Sequence, residues 1–402
     1  MNDSRHRQGR RWNLETLLTA VLLGLMAGCQ SLAEVESLTA KLSLGIRRRL
    51  RLPPMKDTTL RDALVRLHPL EIRGALWRMV KAAERRKALE VSEGLPFHAV
   101  SMDGKWSAIP YWDHHYAQMK TADDGKKAFG MVRTINSVLV TSPAKVVLDT
   151  APVPAETNEM GIFPHAFDTL LSNWGGLFEM VMYDAGAASQ DNMAHVVNAG
   201  KHFLFCLADE RWLLFQKAQR ILGHLPESSI QARSEETVSN SETLVRSLYI
   251  ATAPKGYKDW KHIRTILRVH SQTFKDGVRV SEQNKYLVSS KEPTAITGVQ
   301  WLALIRSRWG VENNLHWTLD AIFKEDDRTW IEAEPRGTVV VMVLRRIAYT
   351  LLALFRSVTQ RSEEARRILW RDLVAWVYDT LIAVADGDLQ RLRQRGAKLA
   401  FN

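Results

Sequence analysis

The sequence predicts an α/β (α+β) chain, and three observations carry that prediction. Between residues 97 and 210, short apolar runs of strand length alternate with helical patterns. A stretch at 240–290 is rich in β-branched residues and turn signals, and helical spacing occupies both ends. Strands with intervening helices give a layered core. With 402 residues the chain is long enough to bury such a core and to carry further pieces around it.

Residues 1–95 read as helices. Leu14, Leu17, Leu18, Val21, Leu22 and Leu25 recur at helical spacing, Pro53-Pro54 breaks the pattern, and Asp57 is an expected N-cap for the next helix. The cluster Arg47-Arg48-Arg49-Leu50-Arg51 fits a solvated helix end as well as a phosphate contact. Four arginines precede the apolar run Leu17 to Met26, which closes on Ala27-Gly28-Cys29 and so imitates a secretory or lipoprotein signal. Glu15, Thr19 and the helical pattern continuing through Leu32 and Val35 argue against that reading. The run is also too short to span a bilayer. The other apolar run, Thr338 to Phe355, is interrupted by Arg345-Arg346 and predicts a buried helix.

From residue 97 the pattern changes. Phe97 to Met102, Met131 to Val140, Lys145 to Leu148, Leu177 to Tyr183 and His202 to Leu207 are expected strands, with a helix over Phe163 to Asn173. Leu244 to Ala251, His262 to Ser271 and Val278 to Val288 predict an antiparallel β insertion, its turns at Pro254-Lys255-Gly256 and Lys275-Asp276-Gly277. After Pro293 the pattern is helical.

The net charge of +11 points to a polyanionic partner, nucleic acid before acidic membrane. Two cysteines, Cys29 and Cys206, exclude a disulfide framework and a zinc site built from cysteine alone. Cutting and joining phosphodiesters with two metal ions needs carboxylates brought together on rigid supports. Asp103 and Asp184 close apolar runs, with Gly104 expected to permit a turn. Asp149 and Asp209 close apolar runs too, so strand-end position alone does not choose among the four. Glu312 is marked by its helix. Arg308, Glu312, His316 and Asp320 fall at four-residue steps on the side that also carries Ile305, Trp309, Leu319 and Phe323. Charges on a buried side are costly unless paired or bound to metal, and a network of structural ion pairs gives the same pattern.

The segment Arg308-Trp-Gly-Val-Glu312-Asn-Asn-Leu-His316-Trp-Thr-Leu-Asp320-Ala-Ile-Phe-Lys-Glu325-Asp326-Asp327 resembles the C-terminal catalytic signature of bacterial insertion-sequence transposases of the DDE class. Met102-Asp103-Gly104-Lys105 and Tyr183-Asp184-Ala185-Gly186 resemble that family's first and second Asp motifs, and the likeness extends from about residue 14 to 355. The resemblance implies a ribonuclease-H-like core with the β insertion before the catalytic glutamate. It implies Asp103, Asp184 and Glu312 as the ligands of two Mg²⁺ ions, with Mn²⁺ able to substitute. Arg308 is then expected to touch DNA phosphate or steady the carboxylate. Lys105 and His316 are further candidate DNA contacts, although His316 fits a structural histidine equally well. The expected partners are double-stranded DNA, both the terminal inverted repeats and the target, and a second copy of the chain on DNA. No membrane is expected, and the bacterial cytoplasm at the nucleoid is the implied compartment. The sequence departs from the family at Ile305 and Leu319, where a tyrosine and a lysine are common, and at Leu207-Ala208-Asp209-Glu210. These departures bear on DNA-end contacts and leave the triad intact.

The expected division is an N-terminal helical accessory or DNA-binding region at 1–95, the first part of the core at 96–210, the β insertion at 211–295, the glutamate helix and end of the core at 296–360, and a helical tail at 361–402. The competing function is a ribonuclease-H-like nuclease or an inactive DNA-binding remnant.

Overall fold

The computed structural model describes residues 11–122, 125, 127–184, 186, 188–208, 213–239, 241–254, 261–360, 362–384 and 387. Asp209, and most of the expected turn at Pro254-Lys255-Gly256, lie outside these residues.

The N-terminal region is helical as expected: α1 (Leu14–Met26), α2 (Leu32–Lys41), α3 (Leu44–Leu50), α4 (Asp57–Arg66) and α5 (Pro69–Arg85). Asn13 caps α1 by accepting from the Thr16 amide at 2.8 Å, and Ser31 does the same for α2 from Glu34. Asp57 is the first residue of α4 rather than its cap. The run that imitates a signal is core: Leu17, Val21 and Leu25 are buried, and the Cys29 thiol behind them is buried and free, its pKa pushed up to about 12 by that burial.

One mixed sheet organises the rest. Its strands are β1 (Ala99–Ile109), β2 (Ala117–Thr121), β3 (Ala128–Val138), β4 (Val147–Val153), β5 (Met180–Tyr183), β6 (His202–Leu207), β7 (Ala232–Ser239), β8 (Glu242–Thr252), β9 (Thr265–Lys275) and β10 (Val278–Ser289). The order is β2-β3-β1-β5-β6-β10-β9-β8-β7, with β4 sharing the outer edge of β3. β1 and β4 each pair antiparallel with β3, while β1, β5 and β6 run parallel. That is the ribonuclease-H-like order. The parallel strands β5 and β6 are buried almost throughout, as their continuous apolar runs require.

The β insertion continues this sheet, since β10 pairs antiparallel with β6. β9 and β10 turn through Asp276 and Gly277, both at positive φ, the backbone that a two-residue hairpin demands. The ends of β8, β9 and β10 nearest β6 are buried, and their far ends extend into solvent. The expectation missed β7, which is polar and mostly exposed, and the short β2.

Helices α6 (Glu159–Trp174), α7 (Gln190–Asn198) and α8 (Leu213–Leu222) follow β4, β5 and β6. After the insertion come α9 (Gly298–Arg308), α10 (Trp317–Ala321), α11 (Pro335–Leu354), α12 (Glu363–Arg366) and α13 (Trp370–Ala383). α11 packs on α1, α4 and α5 and on β3 and β4. It is the one described helix long and apolar enough to cross a membrane, and it is mostly buried within the protein. Arg345 and Arg346, which interrupt its apolar run, are fully buried against Glu325.

Candidate active site

The parallel pairing of β1 with β5 sets two carboxylates side by side. Met102 lies opposite Tyr183 in the last parallel pair, so Asp103 and Asp184 follow at neighbouring positions where β5 ends. The carboxyl ends of parallel strands are where such sheets bind ligands. The expected turn after Asp103 is absent: β1 continues to Ile109 in antiparallel pairing with β3, and Gly104 faces Ile135. Gly104 lies at a close approach instead: a Cβ there would lie 1.9 Å from Glu159 Oε1 and would displace that carboxylate.

Glu312 arrives from the far side of the chain. α9 opens on a reciprocal Thr297–Gln300 capping box. The backbone then widens into a π-helical segment, Val311–His316, before α10, and this segment packs on β1. π turns of this kind are rare and concentrate at functional sites. The uniform charged row expected on the buried side therefore divides. Arg308 is only 3% exposed, whereas Glu312 and Asp320 are each 41% exposed and lie at the border of the buried face. That face is formed by Trp301, Leu304, Ile305, Val311, Leu315 and Leu319.

The three residues expected to contact DNA each meet a carboxylate. Arg308 lies 3.3 Å from Glu312 Oε1. Lys105, nearly buried, lies 2.7 Å from Asp320 and 2.9 Å from Asp326. His316 Nδ1 lies 3.4 Å from Asp103 Oδ2, and its Nε2 lies 3.1 Å from the Asn136 side-chain nitrogen. Asn136 Oδ1 already accepts from Arg346 Nε at 3.0 Å and Thr150 Oγ1 at 3.2 Å. Its amide nitrogen must therefore donate to His316 Nε2, which leaves the imidazole proton on Nδ1, facing Asp103. Burial, with Arg346 and Lys105 nearby, lowers the His316 pKa to about 3, so the ring is neutral at neutral pH. A cavity of about 350 Å³ opens beside this arrangement, lined by Gly104, Lys105, Trp106, His316, Asp320 and Asp326 among others.

Asp103 bears the strain of this gathering. Its pKa is raised to about 7, first by burial and then by the negative charges of Glu312, Glu159 and Asp184. Among the described residues, no three histidine, cysteine or acidic side chains close to metal-holding spacing. The charges of Glu312, Glu159 and Asp184 all act against ionisation of Asp103, and the donor set is one of hard oxygens, the kind that suits Mg²⁺ or Mn²⁺. On donor chemistry the residues fit a divalent cation.

Asp149 separates cleanly from this group. It is buried on β4 and accepts from Arg73 Nε at 3.0 Å and NH2 at 2.6 Å, and from Trp77 Nε1 at 3.0 Å. Sequence reasoning missed Glu159 and Asn136. Glu159 follows the N-cap Asn158 and reads as an ordinary acidic first turn. Asn136 was visible as a polar residue inside an apolar strand, a signal that could have been used.

Comparison with known proteins was made on sequence and on fold. Curated proteins gave no match. Seven solved chains match, among them a cryo-EM structure of a piggyBac transposase synaptic complex with hairpin DNA. It shares 10% identity and a TM-score of 0.45, over 95% of this chain and 74% of that one. The family model described as "Transposase DDE domain" matches residues 103–351, more than half of the chain. That match opens at Asp103 and runs through Asp184 and Glu312 into α11. The chain accordingly belongs to the DDE transposase family of DNA-cleaving, strand-joining enzymes.

Proposed function

We propose that Asp103, Asp184 and Glu312 are the ligands of two Mg²⁺ ions, replaceable by Mn²⁺, in an enzyme that cuts DNA at the terminal inverted repeats of a mobile element and joins the freed ends to target DNA. The observation that carries this reading is the placement of Asp103 and Asp184 at neighbouring positions of the parallel strands β1 and β5, with the segment that carries Glu312 packed on β1 and Asp103 pushed up to about 7 by burial and by Glu312, Glu159 and Asp184. When bound, the ions supply Lewis acidity for in-line attack by water and then by a 3′-hydroxyl.

The remaining residues position the ligands. Arg308, itself out of solvent, holds Glu312 by an ion pair. His316 presents Nδ1–H to Asp103, and Asn136 fixes that tautomer. Lys105 ties the loop carrying Asp326 to β1. We therefore assign Lys105, Arg308 and His316 to support of the carboxylates rather than to direct DNA contact. DNA ends are assigned to the N-terminal helices of residues 1–95 and to the β insertion at 211–295. Support comes from the solvent-facing far ends of β8 to β10, which carry Arg279 and Lys275. Holding two ends together calls for a second copy of the chain, and the compartment is the bacterial cytoplasm.

The test is Mg²⁺-dependent cleavage and strand transfer on DNA carrying the element ends, for the wild type and Glu312→Gln. The wild type should cut and join, and the variant should bind DNA with both reactions reduced by more than about a hundredfold. Cutting without joining would identify a plain nuclease. Binding without cutting, in Mg²⁺ and in Mn²⁺, would sink the catalytic assignment.

A further inference from the structure

The Glu159 carboxylate occupies a recess shaped by residues that flank the two aspartates. A Cβ on Gly104, which follows Asp103, would lie 1.9 Å from Glu159 Oε1 and 2.8 Å from Oε2. One on Gly186, two residues after Asp184, would lie 3.7 Å from Oε2. The hydroxyl of Tyr183, which precedes Asp184, is 3.5 Å from the same oxygen. Glu159 is thus lodged beside the middle of β1 and the end of β5, in the space a side chain at Gly104 would take.

Helix-dipole stabilisation alone would put a carboxylate at this first turn with no recess to receive it. The cation in the neighbourhood, Arg133, donates its guanidinium hydrogen bonds to the carbonyls of Pro154 and Thr157; its charge favours the Glu159 carboxylate, but burial outweighs it and the Glu159 pKa stays raised. A half-buried carboxylate packed beside other acids is costly unless a positive charge joins it.

We propose that Glu159 is a fourth carboxylate ligand of the cation site, acting with Asp103 and Asp184. This rests on the assignment of Asp103, Asp184 and Glu312 as that site. Gly104 is then the residue that leaves room for it.

Mn²⁺ binding, followed by the electron paramagnetic resonance signal of the free ion, tests it without DNA. The proteins are the wild type, Glu159→Gln, Gly104→Ala, the double variant and Asp103→Asn, each checked for folding by its thermal melt. Glu159→Gln should weaken at least one ion by about tenfold or more. Gly104→Ala should do the same without removing any carboxylate, because its methyl displaces Glu159, and the double variant should be no worse than Glu159→Gln. If Gly104→Ala fails to fold, Glu159→Asp replaces it, with an intermediate affinity expected. Wild-type binding by Glu159→Gln, alongside loss in Asp103→Asn, overturns the role of Glu159 alone. A wild type that binds no Mn²⁺ overturns the cation site itself, and Glu159 with it.

Discussion

Glu325 and Asp103 are both acids set well inside this protein, and their surroundings treat them in opposite ways. Glu325 is completely buried, which by itself would raise its pKa. Arg346 and Arg345 outweigh that burial and hold the carboxyl below its ordinary range. Asp103 keeps 21% of its side chain exposed, yet burial and three neighbouring acids lift it to about 7. The two are linked through Arg346, Asn136 and His316. Where an acid serves only to join α11 to the loop after α10, the chain supplies its own cations. At the strand ends it leaves a surplus of negative charge, and that surplus is what separates a candidate cation site from a structural ion-pair network.

The largest effect should come from breaking the compensated region. Glu325→Gln leaves two guanidiniums buried without a counterion and should destabilise the fold by about 3–5 kcal/mol, read from denaturant unfolding. A cost below about 1 kcal/mol would mean that Glu325 is not what holds the arginines, and the contrast with Asp103 would fail. The pH dependence follows from the direction of the shift. A carboxyl held below its model value of 4.5 contributes stability that is present above that value and is lost as pH falls.

The same change of acid to amide at Asp103 should have the opposite sign. Raised from 3.8 to about 7, Asp103 binds more protons folded than unfolded, so the stability it contributes is full below pH 4 and is lost as pH rises through 7. Metal-free Asp103→Asn should therefore match the wild type near pH 4 and exceed it at pH 8 by up to about 4 kcal/mol. Equal melting curves at pH 8 would show that the strand-end charges do not burden the fold. Added Mg²⁺ should stabilise the wild type more at pH 8 than at pH 5, because the cation competes with the proton on Asp103.

How much of this could be read from the sequence differs between the two regions. Most helices, the parallel strands and the β9–β10 turn follow from local periodicity and turn chemistry and were legible, whereas α8 falls in a stretch read as part of the β insertion. β7 was not, because a polar edge strand shows no apolar alternation. The arginine pair inside the apolar α11 predicted a buried helix but not its partner, since Glu325 belongs to a loop some twenty residues earlier. Among the four strand-end aspartates, position alone could not set Asp103 and Asp184 apart from Asp149. The distinction lies in Arg73, 76 residues away on α5, which neutralises Asp149. The π turn around Glu312 left no mark in the sequence, and Glu159 was hidden as an ordinary first-turn acid. Local patterns specify elements, whereas charge compensation is long-range and appears only once the chain is folded.

Asn136→Ala tests whether the two regions act on each other, and its expected effect is the smallest. Among the described residues, Asn136 makes no hydrogen bond to Asp103, Asp184, Glu312 or Glu159, but it donates to His316 and accepts from Arg346 and Thr150. Its removal leaves those donors short of an acceptor and should cost about 1–3 kcal/mol. It also frees the His316 ring to turn or change tautomer, so that Nδ1–H no longer faces Asp103. Mn²⁺ affinity should then fall several-fold, less than for Glu159→Gln, while Arg308 continues to hold Glu312. A stability loss with unchanged Mn²⁺ affinity would make Asn136 a brace for the Arg346 side only. Asp103 would then owe its geometry to β1 and the neighbouring strand, independently of the compensated network behind it.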